Sequence, residues 1–177
     1  MTASEAAKQK FRQMVSPHLD DAYSLAKYLA GNGADAEDIV QEACIRALAG
    51  LESSAVLQPR AWFLTIVRNS AFTFLARHRS KALVGEDVGD LEQKGALNAV
   101  APETDAEAAL IARDEGAEAR RAIAALPVAL RETLILRLLN GLSYREIALA
   151  TESPVGTVMS RLARARAALA TALGGKS

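Results

Sequence analysis

Leu126–Leu169 reads LPVALRETLILRLLNGLSYREIALATESPVGTVMSRLARARAAL, and this stretch decides the fold. Ala129 to Asn140 is predicted as a helix with Leu130, Leu134, Ile135, Leu138 and Leu139 as its apolar stripe. Gly141 follows where a left-handed residue ends a helix. Ser143 and Glu146 have capping-box spacing, in which each side chain satisfies the other's unpaired amide, and a short helix over Tyr144–Ala150 is expected, with Ile147 and Ala148 inward. Thr151 and Glu152 make a turn. Ser153 then suits an N-cap and Pro154 a first helical residue. The last helix places Val158, Leu162, Ala165 and Leu169 on one face, at spacings of four, three and four. Its opposite surface carries Gly156, Thr157, Ser160, Arg161 and Arg164, with Met159 and Arg166 along one side.

A short helix, a tight turn and a longer helix with a basic outer face form a helix-turn-helix. The second helix of such a pair enters the major groove, where hydroxyls bond bases or phosphates and arginine can take guanine bidentately. An ordinary helical hairpin with a solvated basic face is the plainer alternative. The capping chemistry and the acid-free outer surface count against it.

Upstream, Gly85 to Glu118 holds ten acidic residues against only Lys94 and Arg113, with Gly85, Gly89, Gly95 and Pro102 breaking any apolar period. This reads as a flexible acidic linker. It separates two basic blocks, Arg60–Lys81 and Ser153–Ser177, neither of which contains an acid. Net charge over the 177 residues is zero, so the distribution carries the signal rather than the sum. The expected organisation is all-α: two small helical domains, 1–82 and 113–177, joined by a linker over 83–112.

Within the first domain, Asp35 to Leu51 has a stripe of Ile39, Ala43, Ala47, Leu48 and Leu51, with Asp35 as the expected N-cap. Asp38, Gln41 and Glu42 share an exposed flank, which taken alone reads as a solvated face. Gln58 to Ser80 is a second helix opened by Pro59. Phe63, Ile66, Val67, Ser70 and Phe74 lie on one side. Trp62, Thr65, Asn69, Phe72 and Ala76 lie towards the other, near Arg68, Arg77 and Arg79. An aromatic and an amide on a basic helix suit single-stranded DNA, whose phosphates need cations and whose unstacked bases need a ring and a hydrogen-bonding group. For Trp62, core packing and base stacking are equally compatible with the sequence.

Three segments, DAEDIVQEACIRAL (Asp35–Leu48), PRAWFLTIVRNSAF (Pro59–Phe72) and Leu126–Leu169, together resemble the extracytoplasmic-function class of sigma-70 factors. The resemblance implies a promoter-specificity factor with core RNA polymerase and promoter DNA as partners, and an anti-sigma factor as inhibitor. It assigns core binding to Asp38, Gln41 and Glu42, on a helix that docks on the clamp helices of the polymerase's largest subunit. It assigns −10 binding to Arg60, Trp62, Asn69 and Arg77, with Asn69 helping to form a flipped-base pocket. It assigns −35 binding to Thr157, Ser160, Arg161 and Arg164, and runs the linker near the RNA exit path. Two departures are visible. Met159 stands where many relatives have arginine, and the loop Glu52–Gln58 lacks their common Phe-Arg-Gly-Asp-like pattern, so promoter sequence is not inferred from them.

The sequence offers no nucleophile–base grouping or phosphate loop, so no catalysis or cofactor is expected. A single cysteine, Cys44, and two histidines give no basis for a disulfide framework or metal centre. There is no apolar signal core and no run of membrane-spanning length, so a cytoplasmic protein is expected. Two other classes are considered: a sigma mimic that sequesters an anti-sigma factor, and a conventional helix-turn-helix regulator acting on duplex DNA without core polymerase.

Overall fold

The structure is a computed structural model. It describes the backbone of residues 1–83 and 107–174 and the side chains of 1–79 and 116–174. Eight α-helices are described, α1 Ala3–Met14, α2 Leu19–Ala30, α3 Gly33–Ser53, α4 Pro59–Leu83, α5 Glu107–Ala124, α6 Val128–Leu138, α7 Tyr144–Ala150 and α8 Val155–Gly174. A 3₁₀ turn, Ser16–His18, joins α1 to α2. The described residues include no strand. Residues 84–106 of the expected linker lie outside the described residues, while Leu83 closes α4 and α5 begins inside the span assigned to the linker.

The N-terminal unit is built from α1–α4. Gly31 ends α2 in the left-handed region at φ 88°, and Asn32 rather than Asp35 caps α3. The Asn32 Oδ1 accepts from the Asp35 amide at 2.8 Å, and its Nδ2 donates to the Asp35 carboxylate at 2.6 Å. The expectation for Asp35 is thus corrected by three residues: Gly31 fixes where the chain re-enters helical geometry, and the next residue takes the cap. Ile39, Ala43, Ala47 and Leu51 are buried as the stripe predicts, with Leu48 only partly so. Pro59 opens α4 as expected, and Phe63, Val67 and Ser70 face the core.

In the C-terminal unit, Gly141 has φ 65°. The capping box forms: the Ser143 hydroxyl accepts from the Glu146 amide at 3.2 Å, and the Glu146 carboxylate accepts from the Ser143 amide at 2.6 Å. Val158, Leu162 and Ala165 are buried as predicted, and Leu169 packs at the edge of the core. Two expectations fail. Leu138 and Leu139 are exposed, whereas Glu132, Thr133 and Leu136 of the same helix are buried. Ser153 directs its hydroxyl to the Thr151 carbonyl at 3.1 Å and accepts from Arg161 at 3.0 Å, which leaves it engaged away from the α8 amides.

The first of these failures has a structural cause. The two units pack together, α2 against α6 and α4 against α7, while α6 also packs on α8. Helix α6 therefore has neighbours on more than one side, and a single-stripe reading cannot place its residues.

Candidate nucleic-acid and polymerase interfaces

The outer face of α8 is presented as the sequence predicts. Gly156, Met159, Ser160, Arg164 and Arg166 are exposed, and Thr157 and Arg161 are half-buried. Its buried stripe fixes this orientation, so three cations and two hydroxyls project from one rigid surface. The bond from Arg161 to Ser153 ties one of those cations to the turn before the helix. Arg164 and Arg166 have no such tether among the bonds described.

On α3, Asp38 and Gln41 are exposed and Glu42 is half-buried. Glu42 is paired within its own helix, its carboxylate lying 3.0 Å from Arg46. Asp38 and Glu42 also line a small cleft with Arg46, Ser70, Thr73 and Arg77. Arg77, expected at the −10 element, thus lies beside the carboxylates expected to meet polymerase.

Asn69 is exposed on α4, as a base-contacting amide must be. Trp62 is half-buried against the core, and a Cβ added at Gly50 would lie 3.0 Å from its indole ring. That close approach gives Trp62 a packing role and explains why α3 carries a glycine there. Arg60 pairs with Asp21 at 2.9 Å and ties α4 to α2. Its guanidinium reaches within 3.8 Å of a Cβ built on Gly141, at the head of the C-terminal unit's turn. Near this pair, His18 has its pKa lowered, first by burial and then by the positive charge of Arg60, against an opposing pull from Asp21.

The polar contacts between the units are what sequence periodicity misses. Arg68 of α4 donates to both carboxylate oxygens of Glu132 on α6, at 2.6 and 3.2 Å. The Glu132 side chain is only 2% exposed and that of Arg68 is 19% exposed. Arg131 donates to the Tyr28 carbonyl at 3.3 Å, and Asn140 to the Asp21 carbonyl at 3.1 Å. Burial lowers the pKa of Arg131 below the usual guanidinium value. The signal in the sequence is a charged pair, Arg131-Glu132, interrupting the apolar run of a helix whose stripe already has a neighbour.

Residues 14–81 match the family described as Sigma-70 region 2, and residues 117–169 match Sigma-70, region 4. The chain is 33% identical over 170 residues to the ECF RNA polymerase sigma-E factor of Escherichia coli (strain K12), covering 92% of this chain and 85% of that protein. The chain belongs to the ECF class of the sigma-70 family. It is also 30% identical over 167 residues to the ECF RNA polymerase sigma factor SigE of Mycolicibacterium smegmatis, covering 93% of this chain but 62% of that longer protein. Two solved structures share its fold. One is the sigma factor RpoE in complex with the anti-sigma factor NepR from Bartonella quintana, at TM-score 0.71 and 23% identity, covering 96% of this chain and 99% of that one. The other is CnrH in complex with the cytosolic domain of CnrY, at TM-score 0.67 and 22% identity, covering 99% and 94%.

As a sigma-70 factor the chain is a transcription initiation factor and not an enzyme. The region 2 match spans α2, α3 and most of α4, and the region 4 match runs from within α5 through the helix-turn-helix. No helix among the described residues is long and apolar enough to cross a membrane.

Proposed function

We propose that this chain is an alternative sigma factor that joins core RNA polymerase in the cytoplasm and divides promoter recognition between its two regions. Asp38, Gln41 and Glu42 on α3 form the docking flank for a basic surface of polymerase. Asn69, with Arg60 and the exposed rim of Trp62, holds the separated −10 strand, and Arg77 joins that basic surface from the α3 side. Thr157, Ser160, Arg161 and Arg164 read the −35 duplex. The boundaries that fit this division are 1–82 for region 2, 83–112 for the acidic connector and 113–177 for region 4.

The observation that carries the reading is the α8 face. A helix-turn-helix with both caps of its short helix in order turns an acid-free row of hydroxyls and arginines to solvent. Arginine and hydroxyl side chains on the outer face of a recognition helix are the chemistry of base and phosphate contact in the major groove. Region 2 needs no covalent chemistry: binding the unpaired strand more tightly than the duplex shifts the melting equilibrium. The Bartonella quintana neighbour was captured with an anti-sigma factor, which supports control of this chain by a protein of the same kind.

Asn69→Ala tests the −10 assignment. Open-complex yield on a duplex promoter should fall by about tenfold, the effect of losing one good base contact, while co-purification with core stays normal. Unchanged yield would remove the assignment. Glu42→Lys should instead abolish co-purification with core. The pair it breaks with Arg46 contributes only about 0.3–0.5 kcal/mol to the helix, too little for lost folding to explain lost binding.

A further inference from the structure

We propose that Glu132 of region 4 masks Arg68 of region 2 by occupying the position that a phosphate of the −10 strand takes, so that the free chain latches itself closed. This rests on the reading of α4 as the strand-holding helix.

Three observations converge on Arg68. Its guanidinium forms a two-bond fork with the Glu132 carboxylate, at 2.6 and 3.2 Å. It lies 4.7 Å from the Phe72 ring centroid. It also donates to the side-chain oxygen of Asn69 at 3.4 Å. Arg68 is thus the side chain that joins the −10 amide, an aromatic ring and the opposite region. A fork of two parallel N–H bonds fits a phosphate as well as it fits a carboxylate. Withdrawal of Glu132 would leave a cation next to an aromatic face and an exposed amide, the three components of a single-strand contact.

The surrounding contacts make the closure reversible. Asn140 and Arg131 reach across to the Asp21 and Tyr28 carbonyls. The Asn140 Oδ1 and the Arg131 Nε, both buried, are left without a partner. Polar groups only partly satisfied by the closed form regain water on opening, so such an interface resembles a transient one. Removing the Glu132 charge alone leaves the half-buried Arg68 cation without its partner, which drives the regions apart.

The test uses the full chain with Cys44→Ser and spin labels at Lys8→Cys in α1 and Ala170→Cys in α8, both exposed positions. Electron-resonance distance measurement should give a short population in the parent. In Glu132→Gln, which keeps side-chain shape, it should give a shift to longer distances with an open-to-closed ratio raised on the order of tenfold or more. Arg68→Gln should open equally. An unchanged distance distribution in Glu132→Gln, with its thermal unfolding cooperative, would overturn the latch.

The phosphate claim is read by anisotropy with a labelled oligothymidylate. Glu132→Gln should bind more tightly than the parent, with a salt dependence steeper by about 0.7 in log–log slope, one added single-strand phosphate. Arg68→Gln, though open, should gain nothing. Equal binding by the two open variants would overturn the masking of a phosphate site. A chain that opens as described but directs no transcript with core would leave the latch standing and remove the functional reading above.

Discussion

Helices α6 and α8 pack against each other, yet their sequences follow different rules. Helix α8 buries Val158, Leu162 and Ala165, and the rest of its first four turns faces outward or lies at the edge. Helix α6 buries five consecutive residues, Glu132, Thr133, Leu134, Ile135 and Leu136. At about 100° per residue, five in a row go round the whole helix. Helix α8 meets α5, α6 and α7 through one stripe and leaves the opposite face free, whereas α6 is a wedge between region 2 and the rest of region 4. A helix that packs through one stripe can be found from its periodicity. A helix that joins two regions hides its second interface inside what looks like an irregular stripe, and there the polar residues carry the information.

The largest expected effect would break this contrast directly. Leu162→Ala, at 1% exposure, should destabilise region 4 by about 2–5 kcal/mol in thermal unfolding. Leu138→Ala, at 58% exposure on α6, should stay within about 0.5 kcal/mol. If the two changed places, the assigned faces of both helices would be wrong. Next in size, Arg164→Ala should weaken −35-dependent initiation by about 1–3 kcal/mol if it reads a base. Its melting temperature and the spacing between regions should not change, because it touches neither the core nor the latch. A shift in either would mean that α8 is not a free face. Ser143→Ala should lower stability by about 1 kcal/mol through loss of the cap, measured by denaturant unfolding, with a smaller loss for Ser143→Thr.

The smallest effect concerns Cys44 on α3. Burial raises its thiol pKa, so at pH 8 it holds less thiolate than a free cysteine and should alkylate more slowly. The rate should keep rising above the pH at which an open thiol levels off, and a rate equal to that of glutathione would contradict the partial burial of Cys44.

Much of the fold is legible in the order of the amino acids. The Ser143–Glu146 box, the left-handed Gly141, Pro59 at the start of α4 and the α8 stripe all depend on local geometry that neighbouring residues set. The α3 cap is ambiguous in sequence because Asn32 and Asp35 are both good cap residues, and the choice turns on where Gly31 ends α2. Periodicity leaves Trp62 undecided because its environment comes from Gly50, twelve residues away on another helix. Glu132 and Asn140 escape a one-stripe reading because their partners lie on α4 and α2, more than sixty residues upstream, and Leu138 and Leu139 escape it because the side of α6 they occupy is left exposed. Of the candidate site, the outer face of α8 and the exposure of Asn69 follow from periodicity. The tethering of Arg60 to Asp21 and of Arg68 to Glu132 does not, because tertiary packing chooses those partners. That of Glu42 to Arg46 is allowed by helical spacing but selected by side-chain conformation.

The central claim is that two separate surfaces of one chain direct polymerase to a promoter. Run-off transcription with core RNA polymerase and genomic fragments tests it most directly. The account predicts discrete transcripts that require the added chain, and that weaken with either Asn69→Ala or Arg164→Ala. Transcription no different from that of core alone, from a chain that is folded and monodisperse, would contradict it.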